Sequence, residues 1–218
     1  MNTLIELRDL RAGFAGRPVL DGIDLALRRG ERVAVLGRSG AGKSTLLNLL
    51  YARLAAQAAL VPQAPCLVRP LSVFHNVYIG RLDRHSWVRN LRVLAWPSAR
   101  ERAEIAAVLA EVDLAERMDA QAGVLSGGQQ QRVSVARAFY NGRPVLVGDE
   151  PVSALDRAQG AAVLARMAAR HDTLILALHD VALALAHTDR IIILDTGRIV
   201  LDVPTHGLSA SDLAGYYG

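Results

Sequence analysis

Gly37-Arg38-Ser39-Gly40-Ala41-Gly42-Lys43-Ser44-Thr45 decides how the rest of the chain is read. The apolar run Arg32-Val33-Ala34-Val35-Leu36 leads into it, and a helical pattern from Gly42 to about Arg53 leads out. Strand, glycine-rich turn, Lys-Ser and helix in that order are the setting in which such a loop grips a polyphosphate. Without Cβ atoms in the way, the backbone N–H groups of Gly37, Ser39, Gly40, Ala41 and Gly42 can curl round phosphate oxygens. The new helix adds the positive end of its dipole at Lys43, Ser44 and Thr45. Lys43 is expected to reach the β- and γ-phosphates, and the Ser44 hydroxyl to ligate Mg²⁺.

A second segment completes such a site. Pro144-Val145-Leu146-Val147-Gly148-Asp149-Glu150 is an apolar run ending in two acids. Strands covered on both faces read as continuous apolar runs, so this one belongs in a parallel sheet. Its acids then emerge at the carboxyl edge, where open α/β sheets bind ligands. Asp149 is expected to hold the metal and Glu150 to polarise an attacking water.

The surrounding pattern agrees. Extended pieces at Leu4–Leu10 and Ile23–Leu27 flank the turn-like Gly13–Pro18 segment. After residue 140, strands at Val145–Gly148, Thr173–Leu178, Arg190–Leu194 and Ile199–Val203 alternate with helices at Asp156–Ala169 and Val181–Ala186. Such alternation implies a mainly parallel sheet with helical crossovers. The middle, from Pro65 to Val124, contains both tryptophans and an amphipathic stretch at Ser98–Val112, where Ile105, Val108, Leu109 and Val112 share a face. It reads as a helical insertion.

Leu125-Ser126-Gly127-Gly128-Gln129-Gln130-Gln131-Arg132 separates this chain from other phosphate-loop enzymes. A serine and two glycines at a helix start offer a hydroxyl, N–H groups and a dipole to a second phosphate contact. The segment resembles the LSGGQ signature of ABC (ATP-binding cassette) ATPases and stands before the Asp-Glu strand as in that family. Ser153-Ala154-Leu155-Asp156 resembles its D-loop, His179 its switch histidine, Gln63 its Q-loop glutamine, and Phe14 the aromatic that stacks on adenine.

The resemblance implies an ATPase that uses ATP and Mg²⁺. It implies an α/β P-loop NTPase fold: a single ABC ATPase domain over 1–218, its RecA-like core at 1–64 and 140–218, its helical subdomain at about 65–139. It implies two cassettes packed head to tail, each ATP lying between Lys43, Asp149, Glu150 and His179 of one subunit and Ser126, Gly127, Gly128 and Gln129 of the other, with Gln63 near metal and water and Asp156 near the nucleotide. Integral membrane permease subunits, a solute-binding protein and a place on the cytoplasmic face of the inner or plasma membrane follow from the same likeness. The stretch Leu67–Val77, Gly80-Arg81-Leu82, the Trp87 region, the triple glutamine and the ending Tyr216-Tyr217-Gly218 are similar to the ATP-binding subunits of phosphonate importers.

Two departures stand out. Lys43 and Gln63 are only 20 positions apart, which implies a reduced antiparallel β-subdomain and reads as one helix over Leu46–Ala58 running almost directly into the Q-loop. Gly148 stands where alanine is usual in the family.

Bulk properties set the outer limits. One cysteine excludes an intrachain disulfide. No basic-then-apolar leader opens the chain, and Thr173–Ala186, broken by His179 and Asp180, is too short to span a bilayer. The formal net charge of +4 leaves a nucleic-acid or assembly ATPase as the alternative, yet no run of five like charges occurs, so nucleic acid is not expected.

Overall fold

The computed structural model describes residues 2–14 and 17–216; residues 1, 15, 16, 217 and 218, and the side chains of Phe14 and Arg17, lie outside what is described. The chain divides into two compact units, 1–60 with 143–218, and 61–142.

The first unit holds two sheets. Strands β1 (Thr3–Phe14) and β2 (Arg17–Arg28) form an antiparallel pair, with Leu7 opposite Leu25 and Leu10 opposite Ile23. Leu7, Leu20, Ile23, Leu25 and Leu27 are buried from this pair, which is the reduced antiparallel sheet expected from the short Lys43–Gln63 spacing. The larger sheet contains β3 (Arg32–Leu36), β4 (Ala58–Val61), β5 (Val145–Asp149), β6 (Thr173–Ala177), β7 (Arg190–Asp195) and β8 (Arg198–Pro204), in the order β4-β5-β6-β3-β7-β8. β5, β6, β3 and β7 run parallel, and β8 returns antiparallel to β7. Every residue of β5 and β6 is buried, which is why these strands are apolar apart from Thr173 at the start of β6 and Asp149 at the end of β5.

Helix α1 (Lys43–Leu54) buries Leu46, Leu47, Leu50 and Leu54, one stripe at helical spacing. It ends at Leu54, and Ala58–Val61 forms strand β4, which corrects the expectation of a single helix over Leu46–Ala58. Alanine has the highest intrinsic helix propensity, but propensity is a weak prior; here burial of Ala58 and Ala59 at the sheet edge outweighs it.

The second unit is helical: α2 (Val73–Tyr78), α3 (Trp87–Ala95), α4 (Ala99–Ala110) and α5 (Gly127–Asn141). Ile105, Val108, Leu109 and Val112, which share a face in the sequence pattern, are all buried. Asn76, fully buried, accepts the Val68 N–H at 2.8 Å and donates to the Val68 and Ser72 carbonyls at 3.0 Å each, so one amide orders the loop before α2. In the first unit, α6 (Arg157–Arg170), α7 (Val181–His187) and α8 (Ala210–Leu213) complete the set. Ser72, Ser86, Ser98, Ser126, Asp156 and Asp180 cap α2 to α7 in turn, each accepting an N–H of the first turn. A cap of this kind stabilises by about 1 kcal/mol.

Candidate functional site

Register across the sheet brings the motif residues of the first unit together. Val35 of β3 lies opposite Ala177 of β6, and Ala177 opposite Asp149 of β5. The glycine-rich loop after β3, the acids ending β5 and His179 just beyond β6 therefore leave three adjacent strands at one edge. Chain reversal beside the central strand opens a crevice there, the place where α/β sheets bind ligands.

The loop is shaped by close approach. At Gly37, φ is +144° and a Cβ would sit 2.2 Å from the Leu194 carbonyl oxygen, so only glycine fits. Gly42 stands at the head of α1 with φ +103°, no side chain caps this helix, and no acid lies in its first turn. That helix start suits an anion. Lys43 is buried, and its ammonium donates to the carbonyls of Gly37 at 2.7 Å and Arg38 at 3.1 Å. Burial pulls the Lys43 pKa below its ordinary value, and the charges of Glu150 and Asp149 draw it back up. Ser44 follows, half-buried in the first turn.

Asp149 is 7% exposed, and its Oδ1 is buried with no hydrogen-bond partner among the described residues. An unpaired buried carboxylate oxygen is costly unless a cation meets it. With Ser44 it supplies the hard oxygen donors that Mg²⁺ prefers. Among the described residues no group of three His, Cys, Asp or Glu side chains forms a metal cage. Mg²⁺ beside phosphates needs only one or two protein oxygens.

Glu150 continues the ladder by donating its N–H to the Ala177 carbonyl at 3.1 Å, then turns with φ +51°. A left-handed glutamate costs about 1 kcal/mol or more, and such strain gathers at sites of function. Its Oε1 hydrogen-bonds Nε2 of His179. Ser153 donates its hydroxyl to the Glu150 carbonyl at 3.1 Å. Glu150, Ser153, Asp156 and His179 line one cavity of about 280 Å³. Asp156 also caps α6, accepting from the Gln159 N–H at 2.9 Å.

Two supports escaped the motif reading. Asp180 accepts the N–H groups of Ala182 and Leu183 at 2.8 and 3.0 Å, fixing the chain that carries His179; an acid directly before an apolar helix was the available signal. At Gly148 a Cβ would meet the Leu176 side chain at 2.8 Å and Pro151 at 3.2 Å, so glycine lets the strand end pack closely where alanine is usual.

The remaining motif residues belong to the second unit. Gln63 is exposed just past β4. Ser126 and Gly127 are exposed at the start of α5, with Gly128 half-buried. Gln129 accepts the Ser126 N–H at 3.0 Å and returns its own N–H to the Ser126 hydroxyl, a reciprocal capping box. Gln130 donates to the Leu125 carbonyl at 3.0 Å, which pins the turn before the helix.

Comparison with known proteins bears on the family and the fold. Residues 20–153 match the family model described as ABC transporter. The phosphonates import ATP-binding protein of Natronomonas pharaonis is 39% identical, over 98% of this chain and 99% of its own. That of Anaeromyxobacter dehalogenans is also 39% identical, over 94% of this chain; the chain spans about half of its length, 47%. Among solved structures, a dimeric ATP-binding cassette in a post-hydrolysis state bound to ADP and Pi shares the fold, with a TM-score of 0.80 over 93% of this chain and 99% of that one at 24% identity. No described helix is long and apolar enough to cross a membrane. The chain belongs to the ABC transporter family, among its ATP-binding, ATP-hydrolysing subunits.

Proposed function

We propose that the chain hydrolyses ATP to drive import of an organic phosphonate or related oxyanion through a membrane permease. The observation that carries the ATPase part is the alignment of Val35, Ala177 and Asp149 across β3, β6 and β5, since it gathers Lys43, Asp149, Glu150 and His179 at one sheet edge. The N–H groups of Gly37 to Gly42, the Lys43 ammonium and Ser44 and Thr45 hold the phosphates. Ser44 and Asp149 hold Mg²⁺, which when bound neutralises charge on the β- and γ-phosphates. Glu150 accepts a proton from the attacking water. His179 keeps the Glu150 carboxylate in place and contacts the γ-phosphate.

Gln63 senses metal and water, and Phe14 stacks on adenine. The exposed start of α5, with Ser126, Gly127, Gly128 and Gln129, binds the ATP of a second cassette, and Asp156 lies beside the shared nucleotide. On this reading the chain acts as one ABC ATPase domain, the helical unit inserted in a RecA-like core. It works at the cytoplasmic face of the membrane beside permease subunits and a solute-binding protein. The names of the relatives support phosphonate as cargo and favour import over the nucleic-acid alternative.

Glu150→Gln tests the chemistry. It is expected to bind ATP normally and to lose nearly all turnover; undiminished hydrolysis in this variant removes Glu150 from the role. For the cargo, the complex reconstituted with its permease should show phosphonate-dependent ATPase stimulation. A response to sulfonates alone would reassign it.

A further inference from the structure

Strands β7 and β8 are joined by two residues, Thr196 and Gly197, with Asp195 opposite Arg198. Both joining residues are left-handed, at φ +45° and +80°, the backbone of a tight hairpin turn. Threonine is β-branched and rarely takes that conformation, which persists only where the surroundings hold it. Here the surroundings are the glycine-rich loop after β3 and strand β2. Thr196 is exposed, but Gly197 is buried. The Gly197 N–H donates to the Ala41 carbonyl at 3.1 Å, and its own carbonyl accepts the Asp21 N–H at 2.9 Å. A Cβ at Gly197 would stand 2.3 Å from the Val19 carbonyl oxygen. A hairpin by itself asks only for a left-handed residue at this place, which asparagine also supplies. The approach to Val19 asks for glycine.

The same two neighbours grip the glycine-rich loop at both ends. Leu194, at the end of β7, sets its carbonyl oxygen 2.2 Å from where a Gly37 Cβ would be. Val19 and Leu20 of β2 stand 3.2 and 2.8 Å from the corresponding point at Gly42. Between these contacts, the Gly197 bond settles the direction of one peptide. A trans peptide points its carbonyl and the following N–H opposite ways. With the Ala41 carbonyl turned to Gly197, the Gly42 N–H faces away from the hairpin. The Gly42 carbonyl then accepts the Leu46 N–H at 2.9 Å and enters α1. Reversing the Ala41–Gly42 peptide would present a bound anion with a carbonyl in place of an N–H. Arg198 closes the outside of the turn, its guanidinium 2.5 Å from the Asp21 carboxylate.

We propose that Gly197 is a positioning residue for the nucleotide: its N–H holds the Ala41–Gly42 peptide with the Gly42 N–H toward the phosphates, and its carbonyl ties β2 to the same turn. This rests on the reading of residues 37–45 as a phosphate loop. It gives a hairpin outside that motif the task of setting the loop before ATP arrives.

Gly197→Ala and Gly197→Asn separate the two demands on this residue. Asparagine keeps the left-handed backbone of the hairpin, while either side chain forces the turn off Val19 and the N–H off Ala41. The purified full chain is titrated with Mg-ADP and with magnesium tripolyphosphate, which carries no base. Both variants should bind each of them roughly tenfold more weakly, the worth of one N–H on a charged oxygen. KM for ATP should rise by a similar factor while kcat at saturation changes less than about threefold, because the peptide serves ground state and transition state alike.

Unchanged affinity in a folded variant overturns the proposal, and so does a loss of kcat with KM unmoved. If neither variant folds, hydrogen exchange in the unsubstituted chain decides. Coupling between a bound ligand and a contact is reciprocal, so saturating Mg-ADP should slow exchange of the Gly197 amide roughly tenfold relative to that of Val203 at the far end of β8. No relative slowing overturns it. An unsubstituted chain that binds neither ADP nor tripolyphosphate would sink the phosphate-loop reading; normal binding there with unaffected variants would sink this inference alone.

Discussion

Replacing Glu101 by Gln tests whether one buried carboxylate holds α3 against α4. Glu101 is 3% exposed, with Oε2 accepting the Ser98 N–H and hydroxyl at 2.9 Å each and Oε1 accepting from Arg92 at 2.5 Å. Burial alone would raise its pKa. The Ser98 backbone bond, the Arg92 bond, the Ser98 hydroxyl and the Arg92 charge reverse that and bring it from 4.5 to about 2. A displacement of this size corresponds to about 3 kcal/mol favouring the charged, folded form. Solvent screens the half-exposed guanidiniums, so about 1–2 kcal/mol is the expected contribution.

Because the folded pKa lies below the unfolded one, that stability is complete above 4.5 and is lost as pH falls toward about 2. Glutamine keeps the shape and can keep one Ser98 bond, but it presents no charge to the guanidinium. Urea unfolding followed by tryptophan fluorescence, which reads the two ends of α3, should show the variant less stable by about 1–2 kcal/mol near neutral pH. The gap between the two proteins should narrow progressively below pH 4.5. An unchanged midpoint at neutral pH, or a gap that stays constant on acidification, would refute the reasoning.

Gly37→Ala drives a Cβ to 2.2 Å from the Leu194 carbonyl oxygen at φ +144°; nucleotide titration should find ATP binding lost, and thermal unfolding a destabilisation of about 2 kcal/mol or more. Gly148→Ala should be mild, because the nearest atom, 2.8 Å away, is the movable end of Leu176. A cost of about 1 kcal/mol with ATP turnover retained is expected, and abolished turnover would show that the strand end cannot adjust. His171, 2% exposed with Nδ1 donating to the Arg143 carbonyl at 2.7 Å, has its pKa lowered from 6.5, chiefly by burial. Its contribution is therefore complete above 6.5 and lost as pH falls through the lower folded value, so His171→Gln should flatten the fall in thermal midpoint between neutral and mildly acidic pH.

Local chemistry was readable wherever the backbone and its neighbours in sequence settle the matter. An apolar run before Gly37 can only be a covered strand in a sheet of this kind, and Gly42-Lys43-Ser44 can only open a helix after it. The Ser126 and Gln129 pair spells a reciprocal cap. The face Ile105, Val108, Leu109 and Val112 follows from helical period alone. Where two states are nearly equal locally, the reading failed. Ala58 and Ala59 extend a helical pattern in sequence, and pairing beside β5 makes them a strand. In α3 the period shows an amphipathic helix but not which side faces out. That depends on Glu101, beyond the helix's own end, taking its arginines inward.

By itself, then, the amino-acid sequence determined the order and type of the phosphate- and acid-bearing segments, because each is a strand or helix end whose chemistry is set by contiguous residues. Only the tertiary structure decided their convergence. The register of Val35, Ala177 and Asp149, the left-handed turn at Glu150 that meets His179, and the Leu194 carbonyl that admits nothing but glycine at position 37 all arise between segments distant in sequence. Contacts of that kind are fixed by how strands pack side by side, and no short stretch of sequence contains both partners.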